Sequence, residues 1–588
     1  MTTVIYGING PVITVMGKTD FAMMEMVYVG SQRLIGEIIG ITGDVTTIQC
    51  YEDTTGLKPG DPVEGTKAQM SLMLGPGILN NIFDGIERPL AKIEEEAGAF
   101  IKRGSAVSPL DTDREWDVTV TVKVGDRLNG GDVYATVPET GIITHKLMLS
   151  PELSGEVIGV ADNGRYRIND TVVTIRDESN NTHELKLYQR WPIRLPRPVK
   201  AKLTPTVPLI TGQRVIDTLF PISKGGTAAV PGGFGTGKTM TQHQLAKWCD
   251  ADIIIYVGCG ERGNEMSQVL QEFTELIDPK SGRPMTERTS LIANTSNMPV
   301  AAREASIYTG VTLAEYYRDM GYDVALMADS TSRWAEALRE ISGRLEEMPA
   351  EEGFPAYLPS RLSEFYERAG RVATLNGGQG SVTIIGAVSP QGSDFSEPVT
   401  QNTKRFTRCF WALDKALAYA RHYPAINWND SYSEYFVDLD KWYTDKLGRE
   451  FVNMRTEVSA LLQEENRLME IVKLIGSDVL PDDQKLVIEI AKVIRVGFLQ
   501  QNAFHKDDTY VPLEKQKLMM EVILRLYSRC KDVVAENIPL SRVIEMGLFD
   551  RVARMKYDIP NDKPEMFDEY LREIDQKTNE LLSRGGAL

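Results

Sequence analysis

The chain contains the run Gly232-Gly233-Phe234-Gly235-Thr236-Gly237-Lys238-Thr239, which fits the pattern G-x-x-x-x-G-K-[ST]. An apolar run, Thr227–Val230, precedes these residues, and a helix-forming run, Met240–Cys249, follows them. A strand, a glycine-rich loop and a helix in this order are typical of a phosphate-binding loop (P-loop). The glycines let the backbone curl so that its N–H groups and the helix N-terminus face phosphate oxygens.

Two residues of this loop carry side chains suited to phosphate and metal chemistry. Lys238 is predicted to reach the β- and γ-phosphates of a nucleotide, and the Thr239 hydroxyl is predicted to bind Mg²⁺. A second carboxylate on the metal side is expected at the end of a neighbouring strand. The apolar run Asp323–Asp329 supplies it, since it ends in Asp329, which we expect to hold Mg²⁺ through a water.

Hydrolysis also requires a group that polarises water. The buried strand predicted at Ile253–Val257 is followed by a polar loop that contains Glu261, Arg262 and Glu265. Glu261 is the candidate for the water-positioning role, and Arg262 is the candidate for binding the γ-phosphate. The residues alone leave open an ordinary surface Glu–Arg pair. We expect Glu265 to be a structural or solvated carboxylate.

Polar residues after Asp329 have a simpler interpretation. Residues 330–333 either form part of the phosphate surroundings or cap the helix that starts near Trp334. We favour the cap for Ser330, Thr331 and Ser332, and the role of Arg333 stays open. The five histidines stand in unrelated contexts, so we expect structural or surface roles for them: His145, His183, His243, His422 and His505.

Composition excludes several classes of protein. The 588 residues include 65 Lys and Arg against 82 Asp and Glu, a formal net charge of −17, which argues against a free-standing nucleic-acid binder. The hydrophobic content of 42% excludes wholesale disorder. The five cysteines form no zinc motif and no disulfide framework, so a reducing, cytosolic compartment is expected. No apolar stretch is long enough to span a membrane, and no signal peptide is recognised.

Patterning predicts a multi-domain α/β chain. Glycine-rich turns and short apolar runs over 1–75 indicate an antiparallel β-barrel, and residues 76–114 begin the nucleotide-binding region. A β-rich insertion follows at 115–190, in which Val118 to Val124 alternate with polar residues. Strands and helices alternate from about 210 to 435, which indicates a parallel sheet with crossover helices. Together with the P-loop, this leads us to expect a RecA-like nucleotide-binding domain at 191–435. Residues 436–588 are predicted to form a helical bundle, with helices at Arg455–Ile475, Asp482–Leu499, Leu513–Val534 and Pro564–Arg584.

With these motifs placed, the chain closely resembles the catalytic A (alpha) subunit of V/A-type rotary ATPases, of the bacterial V-type ATP synthase kind. The resemblance covers essentially the whole length. The most specific segments are residues 235–239, 257–266, 293–306, 327–340 and the signature Pro-Ala-Ile-Asn-Trp-Asn-Asp-Ser-Tyr-Ser at 424–433. Thr236 stands where eukaryotic members carry Cys, so the loop holds no thiol, although Cys259 lies nearby.

The resemblance implies functions for particular residues. It assigns the phosphate, metal, water and γ-phosphate roles to Lys238, Thr239, Glu261, Arg262 and Asp329. It also implies an adenine pocket in which Tyr423 and Phe504 sandwich the base; without it, these two aromatics would be interpreted as core residues. The insertion at 115–190 resembles the segment that distinguishes A subunits, and its pattern is similar to a biotinyl-type domain without the Met-Lys-Met acceptor. We therefore interpret it as a stalk-contacting bulge.

The expected function is ATP hydrolysis or synthesis coupled to transport of H⁺ or Na⁺ through a rotating shaft, with ATP or ADP and Mg²⁺ bound. The resemblance implies an alternating hexamer of three A and three B subunits. It also implies central-shaft and peripheral-stalk contacts, indirect contact with a membrane sector, and a place on the cytoplasmic side of the membrane. Two alternatives stay open: a hexameric RNA-translocating ATPase and a non-catalytic nucleotide-binding subunit.

Overall fold

The computed structural model describes residues 3–98, 101–105, 107–476 and 479–585. These residues form two compact units that do not follow the chain order. The first unit contains the chain up to Thr204 together with Lys224–Ala229 and Ala251–Thr407. The second unit contains Pro205–Ser223, Val230–Asp250 and the chain from Arg408 onward.

The first unit begins with a six-stranded antiparallel sheet in the order β1-β2-β5-β4-β3-β6. Its strands are β1 Ile5–Asn9, β2 Val12–Met16, β3 Glu25–Val29, β4 Leu34–Thr42, β5 Val45–Cys50 and β6 Val63–Gln69. The Ile5 N–H donates to the Asp61 carbonyl at 2.9 Å, and the Gly60 N–H donates to the Ile5 carbonyl at 2.8 Å. These bonds join β1 to the segment that directly precedes β6, so the two ends of the sheet meet. The predicted β-barrel is confirmed.

The β-rich insertion consists of two four-stranded antiparallel sheets, in the orders β10-β13-β15-β16 and β12-β11-β9-β14. Its elements and their flanking strands and helix are β7 Ser71–Leu74, β8 Ile82–Phe83, α1 Leu90–Ala97, β9 Glu115–Val120, β10 Arg127–Leu128, β11 Val133–Pro138, β12 Thr144–Met148, β13 Gly155–Val160, β14 Gly164–Arg167, β15 Val173–Arg176, β16 Thr182–Leu185 and β17 Gln189–Pro192. The predicted strand, with valines alternating up to Val124, is too long, because β9 ends at Val120. The Lys123 N–H donates to the Asp126 carboxylate at 2.8 Å instead, which commits this residue to a turn.

A largely parallel sheet follows in the first unit, where β20 pairs with β21 and β22, and β22 pairs with β24. The elements along this part of the chain are β18 Ala201–Leu203, β19 Thr227–Pro231, α2 Lys238–Trp248, β20 Ile253–Glu261, α3 Gly263–Glu275, β21 Thr289–Thr295, α4 Val300–Asp319, β22 Asp323–Asp329, α5 Thr331–Arg344, α6 Leu358–Tyr366, β23 Gly370–Ala373, β24 Gln379–Val388 and α7 Pro398–Phe406. Strand β20 is buried except at its last residue. Strands that are covered on both faces are continuous apolar runs, which is why the sequence could predict strands at Ile253–Val257 and Asp323–Asp329.

The second unit contains the loop before α2, the helix α2 itself and the C-terminal helices. Its later elements are β25 Cys409–Phe410, α8 Lys415–Tyr419, β26 Tyr432–Ser433, α9 Phe436–Leu447, α10 Arg449–Ile475, α11 Asp482–Val493, α12 Leu513–Ala535, α13 Leu540–Glu545, α14 Leu548–Asp558 and α15 Phe567–Gly585. The predicted helical C-terminal region is confirmed, and the structure adds α9, α13 and α14. The predicted single helix over Asp482–Leu499 is instead α11 followed by a π-helix, Ile494–Leu499.

The remaining short helices are the π-helix Val215–Leu219 and the 3₁₀ turns Met285–Arg288, Glu351–Gly353, Gln391–Ser393 and Pro564–Met566. Within the described residues, no helix combines the length and apolar character that crossing a bilayer requires. The domain boundaries given by sequence patterning stay predictions.

A buried hydrogen-bonded pair, Glu139 and His145, connects the insertion to the parallel-sheet region of the first unit. Glu139 accepts hydrogen bonds from the Gly77 and Leu79 amides and the Tyr317 hydroxyl, at 2.9, 3.0 and 2.9 Å. Its other oxygen lies 2.7 Å from His145 Nδ1, and both side chains are buried. Burial alone would raise the pKa of Glu139, but the His145 charge and the donated hydrogen bonds hold that pKa below its ordinary value.

We expect Glu139→Ala to lower the free energy of unfolding by about 3–5 kcal/mol, because it leaves buried donors without an acceptor. Since the pKa of Glu139 is lowered in the fold, its stabilising contribution is present at neutral pH and is lost as the pH falls through that pKa. Urea denaturation followed by tryptophan fluorescence measures the change. As a control, His183→Ala removes the partly exposed pair with Asp177 and should shift the midpoint little. Equal midpoints for Glu139→Ala and the unmodified chain would contradict the prediction.

Candidate active site

The P-loop connects β19 to α2. Gly235 and Gly237 have φ angles of +78° and +89°, in the left-handed region that favours glycine. Gly237 is the N-cap residue of α2, and no side chain caps this helix. The start of α2 is the end of the helix where the dipole attracts anions.

The side chains of the loop point in several directions. Lys238 is half-buried, and its Nζ donates to the Gly232 and Gly233 carbonyls at 2.9 and 3.0 Å. The Thr236 hydroxyl is buried and donates to the Gly233 carbonyl at 2.8 Å. The Phe234 side chain is 81% exposed, so its ring does not pack against the loop. Thr239 is half-buried in the first turn of α2.

A cavity of about 760 Å³ opens beside this loop in the second unit. Gly235 and Gly237 line it together with Tyr423 and Phe504, the two aromatics singled out from the sequence. The remaining lining residues are Gln213, Ile216, Met240, Thr241, Gln244, Arg421, Pro424, Gln500, Gln501, Asn502, Ala503, Thr509 and Tyr557. Both aromatic rings are exposed to the cavity mouth, Phe504 at 94%, which suits a ligand and does not suit a core role.

The cavity wall that carries Phe504 is irregular backbone held by side chains. Gln501 is buried and donates to the Gly212 and Asp508 carbonyls at 3.1 and 2.8 Å. Its backbone N–H donates to the Tyr423 carbonyl at 2.7 Å, which fixes the two aromatic segments relative to each other. The Asn502 carboxamide accepts from the Phe504 N–H at 2.9 Å. The amides lining this wall are thus largely committed to structure.

The candidate catalytic carboxylates lie in the first unit, at the carboxyl ends of adjacent parallel strands. Glu261 ends β20 and is half-buried, and Asp329 ends β22 and is buried. Asp329 pairs in register with Gly258, and its carboxylate accepts a hydrogen bond from the Tyr256 hydroxyl at 3.1 Å. Tyr256 was not singled out from the sequence, because a tyrosine within an apolar strand resembles core.

The pKa of the Glu261 carboxyl is raised to about 7. Burial is the largest cause, the negative charge of Asp329 and a hydrogen bond with Glu265 act in the same direction, and the Arg333 charge opposes them. Glu265 was expected to be structural or solvated, and the structure adds it to this carboxylate cluster. A carboxyl with a pKa near neutrality can gain and lose a proton at cellular pH, as a general base or acid requires.

Arg262 directly follows Glu261 and precedes α3. Its guanidinium is exposed, with Nη1 4.0 Å from a Glu265 oxygen. Arg333 is paired with Glu336 at 2.9 Å. The structure therefore places two arginines around Glu261, one of which the sequence had left without a role.

The predicted capping of α5 is wrong. Ser330 occupies the N-cap position, but its side chain makes no capping hydrogen bond. The Thr331 hydroxyl donates to the Ala387 carbonyl at 3.0 Å, and the Ser332 hydroxyl accepts from the Ser389 N–H at 2.8 Å. These side chains join α5 to the end of β24, because a buried hydroxyl takes whichever partner the neighbouring strand offers.

Four protein-family models match different parts of the chain. The ATP synthase alpha/beta family nucleotide-binding domain matches residues 212–433, and the beta-barrel domain of that family matches residues 5–67. The alpha/beta subunit barrel-sandwich domain matches residues 107–194. The C-terminal domain of V and A type ATP synthase matches residues 440–543.

Two similar relatives cover nearly the whole chain. The V-type ATP synthase alpha chain of Halothermothrix orenii is 60% identical over 98% of both chains. The A subunit of the A-type ATP synthase of Methanopyrus kandleri is 57% identical, again over 98% of both. The chain belongs to the alpha, or A, subunits of V/A-type ATP synthases. It is thus a catalytic ATP-hydrolysing or ATP-synthesising subunit of a rotary ATPase, and the RNA-translocating alternative is not favoured.

A solved structure has a related fold. The assembled ATPase EscN of the type III secretion system of enteropathogenic E. coli aligns with a TM-score of 0.62 and 20% identity. The alignment covers 89% of this chain and 99% of that chain. At this identity the likeness shows the fold alone.

Cys259, in β20 near Glu261, has an unreactive thiol in this V/A-type protein. Cys259 is fully buried, and burial raises the pKa of its thiol to about 12. The thiols of Cys50, Cys409 and Cys530 have pKa values raised by burial to about 12 as well. Since the thiolate is the reactive form, these cysteines are poor nucleophiles in the folded protein.

We expect iodoacetamide at pH 8 to leave Cys259 unmodified in the folded chain, because roughly one thiol in ten thousand is ionised at that pH and the sulfur is covered. Mass spectrometry of tryptic peptides measures the modification. The same reagent in denaturant should label all five cysteines and serves as the control. Rapid labelling of Cys259 under native conditions would contradict the assignment of a buried, un-ionised thiol.

Proposed function

We propose that the P-loop, residues 232–239, binds the phosphates of ATP or ADP. The backbone N–H groups of the loop and of the first turn of α2 bind phosphate oxygens, and Lys238 moves from the loop carbonyls to the β- and γ-phosphates. The left-handed glycines of the loop and the position of the loop at the N-terminus of α2 support this role. The two carbonyls that hold Lys238 keep the ammonium group beside the loop, so a short side-chain movement exchanges them for phosphate.

Tyr423 and Phe504 bind the adenine base between their rings in this proposal. The observation that carries it is the cavity that both rings share with Gly235 and Gly237 of the P-loop. A base between the rings and phosphates at the glycines fit one ligand of nucleotide size. The polar amides of the wall are committed to structure, so base binding depends mainly on stacking, which is worth about 1–3 kcal/mol per base.

Thr239 and Asp329 each offer a hard oxygen ligand, which is the donor type that Mg²⁺ prefers. In the described part of the chain, no group of three or more His, Cys, Asp or Glu side chains forms a metal site. Mg²⁺ usually keeps several water and phosphate ligands and takes one or two from the protein, so either oxygen suits it. When bound, Mg²⁺ would neutralise charge on the β- and γ-phosphates.

Glu261 orients and deprotonates the attacking water, and Arg262 binds the γ-phosphate as its charge develops. The raised pKa of Glu261 and its place at the end of β20 support the first role. The exposed guanidinium of Arg262, directly after Glu261, supports the second, because a planar cation can bind phosphate oxygens through two parallel hydrogen bonds. In synthesis the same groups act in reverse, with the Glu261 carboxyl returning the proton.

The names of the relatives support a place in an ATP synthase complex. We propose an alternating hexamer of three copies of this chain and three B subunits, in contact with central-shaft and peripheral-stalk subunits. The complex lies on the cytoplasmic side of the membrane and drives, or is driven by, transport of H⁺ or Na⁺ in a membrane sector. Reconstitution with the B subunit, followed by an Mg-ATPase assay on the assembly, tests this arrangement.

We expect Glu261→Gln to reduce ATP turnover by the assembled complex about 10²–10⁴-fold, because glutamine cannot accept a proton from water. ADP affinity should stay within about twofold, since glutamine keeps the shape and loses no phosphate contact. Coupled-enzyme assays and calorimetry measure the two quantities. Glu275→Gln, at an exposed carboxylate of α3, is the control and should retain full turnover. Unchanged turnover in Glu261→Gln would contradict the assignment of Glu261 as the base.

We expect Tyr423→Ala and Phe504→Ala each to weaken ADP binding about tenfold, the equivalent of one lost stacking contact. Pyrophosphate binding should be unchanged, because it uses the P-loop alone. Calorimetric titration of the full-length chain with each ligand measures both constants. Tyr419→Ala provides the matched control, since this aromatic is exposed and lies outside the cavity wall. Equal losses for ADP and pyrophosphate would contradict an adenine role for the rings.

A further inference from the structure

The cavity wall that carries Phe504 is the segment from Gln500 to Tyr510, here called the 500–510 loop. It contains no helix and no strand, so its carbonyls accept either from turns within the loop or from side chains of other segments. The loop follows directly on the π-helix Ile494–Leu499. Single π-turns of this kind are frequent where a helix gives way to a functional segment.

A lysine of α14 binds the junction between this π-helix and the loop. The Nζ of Lys556 donates to the Val496 carbonyl at 2.6 Å and to the Gln500 carbonyl at 3.0 Å. Lys556 is buried, so its ammonium group has exchanged water for these carbonyls. One acceptor lies within the π-helix and the other is the first residue of the loop, so Lys556 fixes the direction in which the loop leaves the helix.

Close backbone packing brings α14 within reach of the junction. A Cβ atom added to Gly497 would lie 2.8 Å from Ala553 Cα, so only glycine permits this approach. Ala553 lies on the same helix as Lys556, one turn earlier. The π-helix and α14 are therefore packed main chain against main chain, and a displacement of α14 is transmitted to the Gln500 carbonyl.

The Gln500 carbonyl accepts from two cations. Besides Lys556, the Nη2 of Arg214 donates to it at 2.7 Å, while Nη1 of Arg214 is paired with Asp508 at 2.6 Å. Burial, with the neighbouring charge of Arg214, lowers the pKa of Lys556 to about 8. The Asp508 carboxylate, which is paired with Arg214, offsets part of this repulsion.

We infer that Lys556 is a positioning residue for the adenine base: it holds the Gln500 end of the 500–510 loop, and thereby Phe504, against Tyr423. The inference rests on the proposed adenine pocket. Few residues separate Gln500 from the two rings. The Gln501 N–H donates to the Tyr423 carbonyl, and the Phe504 N–H donates to the Asn502 side chain. Loss of the Lys556 tie loosens the spacing of the two rings but leaves the P-loop intact. Lys556 thus connects helix α14 to base binding and not to phosphate binding.

The test compares Mg-ADP and Mg-pyrophosphate binding by calorimetry on the full-length chain. Lys556→Met, which keeps the aliphatic stem and removes the donors, should raise the Kd for ADP about tenfold, the equivalent of one stacking contact. The Kd for pyrophosphate should stay within about twofold. Lys556→Arg, which retains N–H donors, should restore most of the ADP affinity. A general loss of structure would weaken both ligands equally and would overturn the inference.

Lys517→Met is the matched control. Lys517 on α12 donates to the Leu447 carbonyl at 2.7 Å, so the variant loses the same type of bond away from the cavity. Its ADP affinity should be unchanged, and an equal loss in both variants would overturn the inference. If Lys556→Met does not fold, Lys556→Gln and Lys556→Arg decide: ADP affinity should fall more in the glutamine variant, and equal affinities would refute the positioning role.

Failure of the underlying pocket gives a different result. If the unmodified chain binds ADP no more tightly than pyrophosphate, the adenine pocket itself is wrong. If the unmodified chain prefers ADP and Phe504→Ala abolishes that preference while Lys556→Met does not, the pocket stands and the role of Lys556 is refuted.

Discussion

The ion pair between Arg214 and Asp508 is the interaction on which the second unit depends. Both side chains are fully buried, and the partners are 294 residues apart in sequence. Loss of either partner would leave the other charge buried, which costs about 3–5 kcal/mol. The same guanidinium binds the Phe498 and Gln500 carbonyls. An irregular loop can therefore form one wall of the cavity without leaving its backbone unsatisfied.

The strands of the first unit were predictable because their signal is local. Residues Asp323–Asp329 form a strand with the bounds expected from the apolar run, and β20 extends the expected strand Ile253–Val257 to Glu261. A parallel strand buried on both faces must be continuously apolar, and the first polar residue after it lies at the edge of the sheet. The positions of Glu261 and Asp329 at strand ends follow from this rule.

The cavity could not be derived in the same way. Tyr423 and Phe504 were recognised through the family resemblance, because two distant aromatics give no periodic signal of their own. Their association depends on the Gln501 N–H, the Tyr423 carbonyl and the buried cations that hold the 500–510 loop. The π-helix before the loop was likewise missed, since its residues continue the apolar pattern of α11 and only the hydrogen-bond pattern changes.

The carboxylates of Glu261, Asp329 and Glu265 lie close together in the first unit, an arrangement that does not favour stability. Glu261 has a raised pKa because the fold buries it beside Asp329 and Glu265, an arrangement that opposes ionisation. The Tyr256 hydroxyl and Arg333 offset this repulsion only in part. A structural site would pair each carboxylate with a cation, as Asp508 is paired with Arg214. An acid with a pKa near neutrality is instead suited to proton transfer, which agrees with the role proposed for Glu261.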